Sequence, residues 1–124
     1  MGILSGVFGS KSEASEVPKI NWIQLTSENQ FENLEKTSVL FKHSTRCGIS
    51  SSVIKRFEKQ SIELDGKIDF YYLDLLNFKN ISSAIAEKFQ VMHQSPQVVV
   101  VKNNSLVAQG SHYDILDIDL GRFV

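Results

Sequence analysis

Cys47 and Ser50 are the residues best suited to do chemistry, and they stand three positions apart in the stretch FKHSTRCGIS at positions 41–50. Cys47 is the only cysteine of the 124 residues, which excludes an internal disulfide and a multi-cysteine zinc site and indicates a reducing compartment. A C-x-x-C pair uses its second thiol to release the first partner, and the hydroxyl of Ser50 cannot do this. We therefore expect a C-x-x-S site in which Cys47 forms one mixed disulfide and waits for an external thiol, while Ser50 hydrogen-bonds the thiolate.

The neighbours of Cys47 favour an exposed and reactive sulfur. An apolar run at 38–43 leads into it and a helical spacing leaves it, so Cys47 should lie at the carboxyl end of a strand and in the first turn of a helix. Unpaired amides at a helix start and the positive charge of Arg46 both stabilise a thiolate. Gly48 leaves space beside the sulfur, and we expect Ile49 to pack beneath it. The alternative is a buried cysteine that serves as a small apolar core residue.

Strand and helix patterns alternate along the rest of the chain. The order is β-α-β-α-β-α-β-β-α, and early alternation of this kind predicts parallel strands joined by crossover helices. Asn103-Asn104 predicts a hairpin turn that adds an antiparallel edge. The expected fold class is α/β, with a mixed central sheet and helices on both faces. The predicted strands are 20–25, 38–43, 68–76, 97–101 and 105–109; the predicted helices run from a capping box at Ser27–Gln30 to Lys36, from Cys47 to a turn at Asp65-Gly66, along Ile81, Ile85 and Phe89, and from Asp114 onward.

Ser95-Pro96 immediately precedes the valine-rich run at 97–101. Proline lacks the donor that a central strand needs. A trans proline at a strand edge is the local expectation, although a cis bond would turn the chain sharply into the strand. Local sequence leaves both isomers open.

A strand, a C-x-x-S at a helix start and a proline before a hairpin together resemble the thioredoxin fold. Within it, FKHSTRCGIS and HQSPQVVVV resemble the monothiol bacilliredoxins, the YtxJ-type proteins of the bacillithiol system, over about residues 20–116. The resemblance implies that Cys47 is the reactive cysteine and that Pro96 is a cis-proline beside it. We also expect Arg46, Gly48, Ser95 and Pro96 to contact the substrate. Members of the family usually have proline where this chain has Gly48.

The resemblance also implies a function. Such a protein removes or carries bacillithiol on protein cysteines in the bacterial cytoplasm. Its partners would be S-bacillithiolated client proteins and the low-molecular-weight thiol itself, which acts as co-substrate, and no other cofactor is expected. The net charge of −1 and the absence of a long apolar run give no reason to expect nucleic acid or a membrane as partner.

Two other functions stay open. Arg46-Cys47-Gly48-Ile49-Ser50 is close to the Cys-Gly-Phe-Ser motif of monothiol glutaredoxins, which carry an iron–sulfur cluster, but their Gly-Gly pair after the hairpin is missing and only Gly110 stands there. A non-catalytic interaction module would instead predict slow alkylation of Cys47. His43 and His93 are candidate proton shuttles, although a lone histidine in a strand is more often structural.

The chain divides into a short lead-in and one domain. Residues 1–18 are rich in polar residues and glycine and read as a flexible segment. Residues 19–124 are expected to form the thioredoxin-like domain, since a chain of this length suggests a single domain.

Overall fold

The computed structural model describes residues 19–124, and the lead-in predicted at 1–18 lies outside the described residues. This part of the chain forms a mixed sheet with one α-helix on each face. The strands are β1 (Ile23–Gln24), β2 (Ser38–His43), β3 (Asp69–Asp74), β4 (Gln97–Lys102) and β5 (Ser105–Ser111), and the α-helices are α1 (Gly48–Ser61) and α2 (Lys79–Phe89). Short 3-10 helices cover Glu28–Phe31, Ile62–Leu64, His112–Asp117 and Leu120–Phe123. No helix within residues 19–124 is both long and apolar enough to cross a membrane.

The strand pairing brings three strand ends to one edge of the sheet. The spatial order is β1-β3-β2-β4-β5, with β3 parallel to β1 and β2 and with β4 antiparallel to β2 and β5. His43 pairs with Asp74, and Lys42 pairs with Gln97. The ends of β2 and β3 and the start of β4 therefore meet at the same edge. This confirms the predicted mixed α/β sheet.

The buried strand β2 supplies side chains to both faces of the sheet. All six of its residues are buried, and successive side chains of a strand point to opposite faces. Val39 and Phe41 belong to the same apolar cluster as Phe57 of α1. Leu40 belongs to the cluster of Ile85 of α2. Helices thus cover both faces, as the sequence predicts.

The helix predicted from Ser27 to Lys36 is wrong beyond its first turn. The capping box does form, with Ser27 N–H donating to Gln30 Oε1 at 3.0 Å. Farther on, the carbonyls of Glu35 and Leu34 accept hydrogen bonds from the N–H groups of Asn103 and Asn104, both at 2.9 Å. The N–H of Leu34, which an α-helix would pair with Gln30 O, donates instead to Asn104 Oδ1 at 2.5 Å, so the hairpin turn takes a group that the helix would need.

The final α-helix predicted from Asp114 is replaced by two 3-10 helices. The chain passes very close to β5 at this point: a Cβ on Gly110 would lie 3.2 Å from Ile118 Cδ1 and 3.3 Å from Asp114 O. The tight turns still bury Ile115 and Leu120 in the core. Close packing against β5 therefore explains why the C-terminal segment forms 3-10 helices and not an α-helix.

Candidate functional site

Cys47 is the N-cap residue of α1, directly after the loop that follows β2. Its backbone is extended, with φ −101° and ψ 118°. The N–H of Cys47 donates to Ser44 O at 3.1 Å, and the carbonyl accepts from Ser51 N at the same distance. The side chain is a free thiol on a half-buried residue. Cys47 is therefore accessible and held in place by its own backbone.

The residues on either side of Cys47 are exposed. Arg46 and Gly48 both face solvent, and a Cβ on Gly48 would meet no atom within 4 Å. Ile49 is 40% exposed, so the prediction that it packs beneath the sulfur is wrong. The inward face of α1 instead consists of Ser50, Val53, Phe57 and Ser61.

Ser50 lies beneath the loop and is fully buried. Its Oγ accepts a hydrogen bond from Ser44 N at 3.2 Å and lies 2.7 Å from His43 Nδ1. The hydrogen bonds of this hydroxyl run to these two groups rather than to Cys47 Sγ, the partner that the sequence predicted. Ser50 therefore ties the end of β2 to the first turn of α1 and fixes the loop that carries Cys47.

His43 is a buried ring in this arrangement. It lies 5.5 Å from the ring of Tyr72 and 6.4 Å from that of Phe41, centroid to centroid. Burial lowers the pKa of His43 below its usual value, and the negative charge of Asp74 partly opposes this. A neutral His43 at neutral pH is consistent with a structural contact to Ser50.

The Ser95–Pro96 peptide bond is cis. Pro96 is buried and Ser95 is half-buried, and Pro96 O accepts a hydrogen bond from His112 N at 3.0 Å. Because β4 begins at Gln97 and runs antiparallel to β2, the loop with Pro96 and the loop with Cys47 lie at the same edge of the sheet. The structure thus brings together the two segments that the sequence singled out.

Lys42 and its partners form a polar cluster that was not predicted from the sequence. Lys42 is fully buried on the α2 face of β2; its Nζ donates to Ser82 O at 3.2 Å and lies 3.3 Å from His93 Nδ1. Burial lowers the pKa of Lys42 to about 8. The available signal was a lysine inside a strand whose other residues read as buried.

An open groove of about 510 Å³ lies between the loop after β2 and the start of α2. Within residues 19–124, neither of its cations, Arg46 and Lys79, forms an ion pair. The carboxylate of Asp74 accepts hydrogen bonds from Leu76 N and Asn77 Nδ2, which are close to it in the chain. The groove beside the Cys47 loop is therefore lined by two cations, Arg46 and Lys79, and one carboxylate, Asp74, and carries a positive balance of charge. Across the described residues, no three His, Cys, Asp or Glu side chains group closely enough to hold a metal ion.

Comparison with known proteins gives a family and a fold. A family model described as monothiol bacilliredoxin BrxC matches residues 23–120. One solved structure, described as a candidate oxidoreductase with a thioredoxin fold, is 36% identical with a TM-score of 0.68, and the match covers 75% of this chain and 84% of that chain.

Two thioredoxins are similar at lower identity. The thioredoxin of Malassezia sympodialis is 24% identical with a TM-score of 0.66, covering 85% of this chain and 90% of its own. Thioredoxin NaTrxh of Nicotiana alata is 21% identical with a TM-score of 0.64, covering 93% and 98%. At these identities the likeness shows the fold alone, and it confirms the thioredoxin-like architecture.

Proposed function

This chain belongs to the monothiol bacilliredoxin family and is a thiol oxidoreductase of the thioredoxin fold, and from that premise we propose that it removes bacillithiol from protein cysteines through Cys47. The observation that carries the proposal is the accessible Cys47 at the start of α1, on the same sheet edge as cis-Pro96. A single thiol in this position can exchange with one disulfide at a time.

The reaction is a thiol–disulfide exchange in two steps. The Cys47 thiolate attacks the bacillithiol sulfur of the client mixed disulfide, a new Cys47–bacillithiol S–S bond forms, and the client cysteine leaves as a thiolate. A second molecule of low-molecular-weight thiol then attacks as a thiolate, leaves with the bacillithiol as a small disulfide and returns Cys47 to its thiolate form. Thiolates enter and leave in equal number, so no further redox partner is needed within the two steps.

The residues near Cys47 have separate roles in this proposal. Arg46 and the first amides of α1 stabilise the thiolate. Gly48 adds no side chain next to the sulfur. The Ser95 backbone beside Pro96 aligns the incoming chain. The groove with Arg46 and Lys79 offers positive charge to a carboxylate-bearing small thiol.

The experiment is the transfer of bacillithiol from a labelled client, followed by intact mass of both proteins. Wild type should gain one bacillithiol and the client should lose it, whereas Cys47→Ser and Cys47→Ala should transfer none. Ser52→Ala changes an exposed serine of the same helix and should transfer at the wild-type rate. Transfer by Cys47→Ser at the full rate would end the proposal.

Two further readouts address the alternatives. Exposure to bacillithiol disulfide and, separately, to glutathione disulfide shows which small thiol Cys47 accepts. Anaerobically purified protein with the visible absorption of an iron–sulfur cluster would favour the glutaredoxin-like function instead. Slow alkylation of Cys47 at neutral pH would favour the interaction module.

A further inference from the structure

The buried ammonium of Lys42 has no carboxylate partner within residues 19–124. Its two polar neighbours are a backbone carbonyl, Ser82 O, and a ring nitrogen, His93 Nδ1. Removing an ammonium from water without a countercharge is costly. A buried residue that lowers stability is a candidate for a functional role. The contacts of Lys42 indicate that it acts on His93.

The contact between Lys42 and His93 fixes the chemistry of the ring. A lysine ammonium carries donors and no acceptor, so His93 Nδ1 offers its lone pair to Lys42, and the hydroxyl of Ser82, whose Oγ lies 3.2 Å from the same nitrogen, can donate to it as well. With a pKa of about 8, Lys42 is mostly protonated at pH 7. Burial and the positive charge of Lys42 also lower the pKa of His93. These contacts favour a neutral imidazole with its proton on Nε2.

His93 lies in the loop that leads to cis-Pro96. The residue is exposed, and the preceding Met92 is 80% exposed. Gln97 Nε2 donates to Met92 O at 2.9 Å and holds the loop from the strand side. Because Nδ1 contacts the buried Lys42, the Nε2–H donor is on the side of the ring that faces away from the interior. Because Lys42 pairs with Gln97 at the end of β2, its partner His93 lies at the end of the sheet that carries the Cys47 loop, on the face that α2 covers.

We propose that Lys42 is a positioning residue that holds His93 as its Nε2–H tautomer, so that His93 donates a hydrogen bond to an oxygen of the substrate at Cys47. The role in substrate binding rests on the proposed function, whereas the tautomer does not. A neutral N–H donor requires an acceptor with a lone pair, and carbonyl, carboxylate and hydroxyl oxygens all meet this requirement. That oxygen belongs either to the client chain or to the small thiol.

The tautomer is tested by ¹⁵N NMR of the imidazole nitrogens, with His93→Gln assigning the His93 signals. Wild type at pH 7 should show a neutral ring protonated on Nε2. In Lys42→Met the Nδ1–H form should appear, and the pKa of His93 should move up toward 6.5. An imidazolium or an Nδ1–H ring in wild type would overturn the proposal. The wild-type spectrum can overturn the proposal even if the variant does not fold.

The donor role is tested by transfer kinetics of two substitutions. His93→Leu removes the donor, and its rate should fall about tenfold, which corresponds to one hydrogen bond. His93→Gln keeps an N–H donor and should recover most of that loss. Alkylation of Cys47 by iodoacetamide should be the same in all three proteins. Equal transfer rates for His93→Leu and wild type, or an alkylation rate that falls in parallel, would overturn the role.

Two substrates then locate the acceptor oxygen. If His93→Leu slows transfer from a bacillithiolated protein and from bacillithiol disulfide alike, the oxygen belongs to the small thiol. If it slows only the protein substrate, the oxygen belongs to the client. If wild type transfers from neither, the proposed function fails, and the NMR result on Lys42 and His93 still stands by itself.

Discussion

Ser50 accepts the Ser44 N–H and pairs with His43 Nδ1, so two buried polar groups depend on one hydroxyl. Ser50→Ala leaves both without a partner, and we expect the free energy of unfolding to fall by about 1–3 kcal/mol. Urea denaturation followed by circular dichroism measures this. The matched Ser52→Ala, on the exposed side of α1, should stay within about 0.5 kcal/mol of wild type. Equal stability of the two variants would show that the Ser50 contacts contribute little.

The two glycines near the site and the hairpin differ in the space around them. A Cβ on Gly48 would have no atom within 4 Å, whereas a Cβ on Gly110 would meet Ile118 Cδ1 at 3.2 Å and Asp114 O at 3.3 Å. Gly48→Ala should therefore raise the free energy of unfolding by about 0.4–1 kcal/mol by restricting the unfolded chain. Gly110→Ala should lower it, because the close segment must shift. Thermal unfolding of both variants compares them directly, and a less stable Gly48→Ala would contradict the open space at that position.

At the scale of single residues, the sequence singled out Cys47, Arg46 and Pro96, and the structure places Cys47 and Pro96 at the same end of the sheet. It could not pair Ser50 with His43, which stand seven positions apart and meet only when the loop between β2 and α1 folds back. Nor could it place Ile49 outward, because the inward face of α1 includes two serines, Ser50 and Ser61, so apolar spacing alone does not mark that face.

At the scale of elements, the hairpin turn holds the segment before β2. Asn103 and Asn104 both have positive φ, at 51° and 64°, as the sequence predicts for this turn. Asn104 also accepts a hydrogen bond from Leu34 N at 2.5 Å and donates to Asn33 Oδ1 at 2.8 Å. The turn therefore joins β4 to β5 and also holds the segment that leads into β2.

Asn104→Gly and Asn104→Ala separate the two contributions of this side chain. Glycine tolerates the positive φ but loses the hydrogen bonds, so it should destabilise the fold by about 1 kcal/mol. Alanine loses the bonds and also strains the backbone, so it should destabilise the fold by about 1 kcal/mol more. Chemical denaturation of both variants tests the order, and an alanine variant as stable as the glycine variant would remove the strain contribution.

The long elements were predictable and the short ones were not. β2, α1, α2 and β4 each carry enough periodic apolar residues to reveal their type. The segment after Phe31 and the C-terminal segment have helical spacing as well, yet tertiary contacts decide them: the first pairs with the hairpin turn, and the second packs against Gly110.

At the scale of the whole molecule, Lys42 makes stability depend on pH. Its pKa is about 8 in the folded chain against an ordinary 10.5, so between these values the unfolded chain binds more protons and stability rises with pH. The destabilisation by Lys42 is fully present below pH 8 and is relieved as the pH rises toward 10.5. The difference between the two pKa values of Lys42 corresponds to about 3 kcal/mol in the free energy of unfolding.

Lys42→Met should be more stable than wild type at pH 7, and this gap should narrow as the pH rises from about 8 to about 9.5. Denaturation of both proteins at several pH values in this range measures it. The range stays above the titration of His43 and His93 and below that of Tyr71 and Tyr72, whose pKa values burial raises. A gap that does not change with pH would mean that Lys42 keeps its ordinary pKa in the fold.

The central position of β2 also bears on how Cys47 can be used as a reporter. β2 is flanked by a strand on each edge and covered by a helix on each face, and the N–H and carbonyl of Cys47 are bonded to Ser44 O and Ser51 N, so the backbone at Cys47 has little freedom to move. A spin label or fluorophore attached to this one sulfur would be homogeneous and firmly anchored at its base. Changes in its signal on mixing with another molecule would then report the arrival of that molecule.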